Sequence, residues 1–278
     1  MAPSGGPGED AVQRHKYQYG EDSSQWGELF LPELPDGGAH RGVVVVIHGG
    51  YWRSQYGAEL GEPLAKDLAA HGVAAWNLEY RRAGNGGGWP NTFADVLAGI
   101  DKLADLAAVH SLDLDRVVAL GHSAGGHLAV WAAGRDRLAQ LGLPDADRQI
   151  PRKVGPGVVQ LAGVVSQSGL LNLAEAEKLD LSNGAVSNLL CGPSSKYPLR
   201  HRYADPMTAI PLDVPVHVVH GVADSTVPMS QAESYTAAAG AAGMTVRLTK
   251  VPGDHYDLID CKSTGYRECR DLVRQLLG

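Results

Sequence analysis

Apolar residues fall into two alternating kinds of segment along this chain. Short continuous runs rich in β-branched residues recur at 43–47 (Val-Val-Val-Val-Ile), 73–78, 117–120, 158–165, 214–220 and 245–251. Runs of that kind suit strands buried on both faces of a parallel sheet. Between them lie stretches with helical spacing. Residues 57–70 carry Leu60, Leu64 and Leu68 on one stripe. A segment opening at Asn91 or Thr92, the expected N-cap, carries Val96, Leu97, Ile100, Leu103 and Leu106. Further helices are predicted from Ser123 to about Gly134, over 230–242 and over 266–277. Residues 23–34 predict an antiparallel edge strand, and Pro35-Asp36-Gly37-Gly38 a turn. Residues 1–20 read as a flexible arm before a single domain over 21–278. Alternation of this kind predicts an α/β fold, a mostly parallel central sheet with helices on both faces.

Two stretches break the alternation. Residues 135–156 are polar and punctuated by Gly and Pro. Residues 170–210 contain several turn signals, among them Cys191-Gly192-Pro193 and Ala204-Asp205-Pro206. An insertion there, after a strand, is expected to form a small cap over a pocket at the carboxyl ends of the strands.

Composition narrows the function classes. A net charge of −7 over 278 residues offers no basic field for nucleic acid or an anionic membrane surface. No apolar run approaches the ~20 residues of a membrane span. Residues 1–10 are rich in Gly and Pro without the apolar stretch of a signal peptide. The three cysteines, Cys191, Cys261 and Cys269, are odd in number and lack metal-ligand spacing. Reduced thiols in a cytoplasmic protein, with no metal and no cofactor, are therefore expected.

The chemistry concentrates where the strands end. The run 117–120 leads into Gly121-His122-Ser123-Ala124-Gly125, followed by a small-residue helix. With 35 glycines in the chain the bare Gly-x-Ser-x-Gly pattern carries little weight; its strand-before, helix-after context makes it a nucleophile elbow. Serine needs an adjacent base held by a third group. The chain order Ser, Asp, His selects His255, in the loop after the last strand, and Asp224, in the loop after 214–220; Asp254 and Asp257 are the alternative acids. His217 and His220 lie three apart in a strand, on opposite faces, a poor pair for metal or catalysis. Backbone N–H groups of Ala124, Gly50 and Tyr51 are the candidate oxyanion donors, the latter two following the strand 43–47 in His48-Gly49-Gly50-Tyr51. Tyr51, Trp52, Trp89 and Tyr256 are candidates for the wall of the site; for Trp52 and Trp89 the alternative is packing of the loops.

Together His48-Gly49-Gly50-Tyr51-Trp52, Tyr80-Arg81, Gly121-His122-Ser123-Ala124-Gly125-Gly126-His127, Asp224 and His255 resemble the α/β-hydrolase superfamily over roughly residues 25–278. More narrowly they are similar to its hormone-sensitive-lipase-like esterases and to the kynurenine formamidases (arylformamidases). The resemblance implies the α/β-hydrolase fold and a serine hydrolase acting on a small molecule. Tyr51 stands where the esterase branch more often has a third glycine, which tilts the expectation to an aryl formamide such as N-formylkynurenine, and so to tryptophan breakdown. A carboxylesterase for short acyl esters is the alternative. A non-catalytic ligand-binding α/β hydrolase and an acyltransferase are the competing classes.

Overall fold

The computed structural model describes residues 12–34, 38–138 and 158–278. The turn at 35–37, the arm up to residue 11 and most of the polar stretch 135–156 lie outside the described residues. Eight strands form one sheet in the order β1-β2-β4-β3-β5-β6-β7-β8. They are β1 Gln13–Gln18, β2 Trp26–Leu31, β3 Val43–Ile47, β4 Ala74–Leu78, β5 Val117–His122, β6 Gly163–Gln167, β7 Val216–Gly221 and β8 Val246–Val251. The pairs β1–β2 and β2–β4 are antiparallel, and every pair from β4 to β8 is parallel. This is the α/β fold expected from the alternation.

The all-apolar strands are explained by two cores, one on each face. Val43, Val45 and Ile47 of β3 face one core, Val44 and Val46 the other; Val117 and Ala119 of β5 divide likewise from Val118 and Leu120. Helices α1 (Glu62–Ala70) and α10 (Thr264–Leu277) cover the smaller core, through Leu64, Leu68, Tyr266, Leu272 and Val273. The larger core lies under α2 (Asn91–Asp101), α3 (Leu103–His110), α4 (Ala124–Ala133) and α9 (Ser230–Ala241). A short helix, α5 (Arg135–Leu138), follows α4. Between β6 and β7 the 170–210 insertion folds as α6 (Leu173–Lys178), α7 (Ala185–Leu189), α8 (Pro198–Ala204) and a 3-10 turn, with Leu173, Ala176, Val186 and Leu189 in the same larger core.

Four expectations change. Residues 13–18 are not an arm but the edge strand, so β2 becomes the second strand. The Arg14–Glu28 bidentate pair and Lys16, 3.4 Å over the Trp26 ring, hold a segment that has no apolar face of its own. The sixth strand starts at Gly163 rather than 158 and runs to Gln167, because its ladder with β5 begins at Val118–Gly163. The helix from Asn91 ends at Asp101 and α3 continues separately from Leu103. Neither Asn91 nor Thr92 caps it: Pro90 holds the cap position, and the Thr92 hydroxyl instead accepts from Gly88 N–H and donates to the Arg81 carbonyl.

Gly27 of β2 shows how tightly the antiparallel edge is fitted. A Cβ there would lie 2.2 Å from the ring of Trp76, which is fully buried and fixed by its Nε1–H donated to the Gly99 carbonyl at 2.9 Å. Gly27→Ala is expected to destabilise the fold by about 1–3 kcal/mol, with the indole forced to move. Urea unfolding followed by tryptophan fluorescence measures it.

Candidate active site

The elbow is built by close backbone contacts. Ser123 sits at φ 55, ψ −118, a conformation that costs a non-glycine residue about 1–3 kcal/mol. Its N–H is held by the Gln167 carbonyl at 2.8 Å, and its carbonyl accepts the first bond of α4 from His127. A Cβ on Gly121 would fall 2.2 Å from the Gly125 carbonyl, and one on Gly125 would fall 2.0 Å from the Ile47 carbonyl. Only glycine fits either place.

The parallel sheet brings the predicted residues together at its carboxyl edge, since His48 follows β3, Ser123 follows β5 and Asp224 and His255 follow β7 and β8. His255 Nδ1–H donates to Asp224 Oδ2 at 2.7 Å, leaving Nε2 as the basic nitrogen. Asp224, not Asp254 or Asp257, is thus the acid on His255; Asp254 instead accepts from the N–H groups of Tyr256 and Asp257, and Asp257 from that of Asp254. The other Asp224 oxygen accepts from Thr226 N–H at 2.9 Å and Val227 N–H at 2.8 Å. Burial alone would raise this carboxyl, but the hydrogen bond and charge of His255, with the Val227 N–H, outweigh it and hold it at about 2. Ser123 and His255 are themselves buried.

His122 lies beside the base. Its Nε2–H donates to the His255 carbonyl at 2.9 Å, so the loop carrying the base is anchored one residue from the nucleophile. Burial, reinforced by nearby His255, pushes His122 down to about 3 and keeps it neutral. His220 also belongs here, which its strand position obscured. As expected it does not pair with His217, but on its own it donates Nε2–H to the Val227 carbonyl at 3.0 Å and lies 3.5 Å from Asp224 Oδ2. It stiffens the loop that presents the acid.

The loop after β3 approaches the nucleophile closely: a Cβ on Gly49 would lie 3.0 Å from Ser123 Cβ. Gly50, Tyr51 and Trp52 all have positive φ, at 107, 47 and 55. Among the described residues the N–H groups of Gly50, Tyr51 and Ala124 donate to no acceptor. Ala124 opens α4, so its N–H is one of the unpaired donors of a helix N-terminus.

The aromatic candidates separate. Trp52 is fully buried, edge-on to the His127 ring at 5.1 Å, and Trp89 is buried against Phe93 and Tyr203. Both are packed among core side chains, which favours the loop-packing alternative over contact with substrate. Tyr51 is half-buried, its hydroxyl donating to the Thr226 carbonyl at 2.7 Å and so tying the two loops together. Tyr256 is 63% exposed beside the His255 ring. Among the described residues no three His, Cys, Asp or Glu side chains meet as metal ligands, and no helix is long and apolar enough to cross a membrane.

Sheet order, elbow and the placement of Ser, Asp and His define an α/β hydrolase. The BD-FAE family model matches residues 28–238, and the chain belongs to that family. Curated relatives include Esterase LipC of Mycobacterium tuberculosis, 24% identical over 91% of this chain and 62% of its own length. The isoprenylcysteine alpha-carbonyl methylesterase ICME of Arabidopsis thaliana is 26% identical over 88% of this chain and 57% of its own. The chain thus spans about three fifths of the length of these relatives. Among solved structures, a bifunctional GH43-CE protein of Bacteroides eggerthii superposes with TM-score 0.82 at 23% identity, covering 95% of this chain and 38% of that one. Esterase B of Lactobacillus rhamnosis superposes with TM-score 0.77 at 20% identity, covering 96% of this chain and 85% of that one.

The depressed Asp224 carboxyl sets the acid limit of this arrangement. Folded Asp224 lies below its ordinary 3.8, so its ionised form stabilises the fold above about pH 4. That share, on the order of 2 kcal/mol, is lost as pH falls through about 2. Asp224→Asn, with no carboxylate to protonate, is expected to lose less stability over the same window. Chemical unfolding at stepped acid pH reads the difference.

Proposed function

We propose that the chain is a carboxylesterase working through Ser123, His255 and Asp224. The observation that carries this reading is the Asp224–His255 hydrogen bond, which fixes the tautomer whose Nε2 is free to act as base. In this mechanism the Ser123 hydroxyl attacks the ester carbonyl while His255 Nε2 takes its proton. Asp224 stabilises the imidazolium that forms. The tetrahedral oxyanion receives hydrogen bonds from the N–H groups of Gly50, Tyr51 and Ala124. His255 then returns the proton to the leaving alcohol, and water attacks the acyl-enzyme by the same route. The 170–210 insertion closes over this edge as a cap, joined to the Tyr51–Arg53 loop by a hydrogen bond from Arg53 to the Ser182 carbonyl. Tyr256, exposed next to the base, is the remaining aromatic candidate for contact with substrate.

Esters rank first because the relatives are esterases by name. A second reading, an aryl formamidase of tryptophan breakdown, rests on Tyr51 in the His48-Gly49-Gly50-Tyr51-Trp52 motif and has no support from those relatives. The expected result is turnover of p-nitrophenyl acetate and butyrate with negligible cleavage of N-formyl-L-kynurenine, and a loss of at least about a thousandfold in kcat for Ser123→Ala with its fold intact. A kcat/KM that favours the formamide would reverse the ranking. Undiminished ester turnover by Ser123→Ala would remove the mechanism.

A further inference from the structure

Beneath the loop that bears the proposed oxyanion donors lies a cluster of buried charge that the mechanism above does not use. Parallel β3 and β4 pair Ile47 with Leu78, so the next residues of each strand, His48 and Glu79, stand side by side. The His48 side chain is fully buried and that of Glu79 nearly so. Three hydrogen-bond donors and one guanidinium converge on the Glu79 carboxylate. Oε1 receives Tyr80 N–H at 2.7 Å and His48 Nε2 at 3.2 Å, Oε2 receives Ala58 N–H at 2.9 Å, and Arg82 Nη2 forms an ion pair with Oε1 at 3.3 Å. Donors and positive charge aimed at both oxygens favour the ionised form of this carboxyl. Burial raises this carboxyl, but the His48 hydrogen bond, the charges of His48 and Arg82 and the Ala58 N–H outweigh it and hold it below the ordinary range.

The other ring nitrogen of His48 decides its charge. Nδ1 lies 2.8 Å from the Gly49 carbonyl oxygen, which can only accept. Nε2 lies against an ionised carboxylate, which can also only accept. Both nitrogens therefore carry protons, since turning the ring over would set carbons against both acceptors. The Tyr80 ring stacks on this imidazole at 4.3 Å and 11°, a face suited to a cation, and its hydroxyl donates to the His48 carbonyl at 2.8 Å. Glu59 is the remaining charged neighbour: a Cβ on Gly57 would meet Glu79, Glu59 and Arg82 together within 2.8 Å.

The Gly49 carbonyl and the Gly50 N–H belong to one peptide unit. A cationic donor on that carbonyl draws electron density from the amide and makes its N–H a stronger donor, and the planar trans peptide points that N–H away from His48. We propose that His48, held as an imidazolium by Glu79, polarises the Gly49–Gly50 peptide and so strengthens Gly50 N–H as an oxyanion donor. Both side chains are positioning residues, because neither reaches the reacting atoms. The inference rests on the esterase reading given above.

The charge is read on the resting wild-type protein. Uniform 15N labelling and imidazole correlation spectra at neutral pH are expected to show protons on both nitrogens of the ring with Overhauser contacts to Tyr80. A neutral ring, with its two nitrogens widely split, would overturn the proposal. In Glu79→Gln the same ring is expected to become neutral. The kcat for p-nitrophenyl acetate should fall about tenfold or more with KM little changed. Affinity for an aliphatic trifluoromethyl ketone, which forms a tetrahedral oxyanion on the serine, should fall by the same factor. A folded Glu79→Gln enzyme with unchanged kcat, or one whose loss lies in KM alone, would equally overturn it. Failure of the esterase reading is told apart by Ser123→Ala retaining turnover, which the wild-type imidazole spectrum does not bear on.

Discussion

The structure depends on how closely three chain segments approach each other at the elbow. Gly125 presses on the Ile47 carbonyl at the end of β3, and Gly121 on the Gly125 carbonyl. On the other side, a Cβ on Gly126 would lie 2.7 Å from Ser166 Oγ and 2.9 Å from Gly169 Cα, at the end of β6. The carboxyl ends of β3 and β5 are therefore packed backbone to backbone, and β6 closes on them with only the Ser166 hydroxyl beside Gly126. That contact forces Ser123 into its left-handed turn, and the bond from its N–H to Gln167 fixes it there. Strain at one residue is tolerable because the neighbouring sheet over-determines it. Everything functional is then placed by strand register: loops leaving adjacent parallel strands emerge side by side, and the residues they carry meet without long connections.

Much of this was legible in the sequence. Strands buried on both faces have no polar positions, so the runs at 43–47 and 117–120 stand out, and the residues after each run fall at one edge of the sheet. Ser123, Asp224 and His255 could be chosen for that reason, although His255 is one of 11 histidines. β1 was not legible. Gln13-Arg14-His15-Lys16-Tyr17-Gln18 has no apolar face, and its strand state comes from β2, through backbone pairing and the partners of Arg14 and Lys16. Tertiary pairing overrides local pattern at such an edge.

Side-chain direction was the other gap. Tyr51 and Trp52 are adjacent aromatics, and nothing in their order says which faces the site. Positive φ at both rotates the loop so that Trp52 enters the core against His127 while the Tyr51 hydroxyl reaches Thr226. His220 shows the same limit. Its position on a strand rightly separates it from His217, yet only the turn of the 222–227 loop brings Asp224 and the Val227 carbonyl back over its ring. Glu79 and His48 are 31 residues apart and become neighbours solely through the β3–β4 register.

Burying His48, Glu79 and Arg82 together is expensive, and apolar residues of similar volume commonly stabilise a core as well or better. The geometry of the loop above them offers a reason for charge at this place. Gly50, Tyr51 and Trp52 hold three positive φ values in succession, two of them on residues with side chains. Such a loop needs fixed points on both sides. One is the Tyr51 hydroxyl on the Thr226 carbonyl, which couples this loop to the one carrying Asp224. The other is the base of the loop, where the Tyr80 hydroxyl holds the His48 carbonyl and His48 Nδ1 holds that of Gly49. An apolar residue at 48 would fill the space but leave the Gly49 carbonyl without a donor, and one at 79 would leave His48 Nε2 without the partner that fixes the ring. Directional hydrogen bonds fix a peptide plane where packing alone cannot, so the orientation of Gly50 N–H and the buried ion pair are two sides of one constraint.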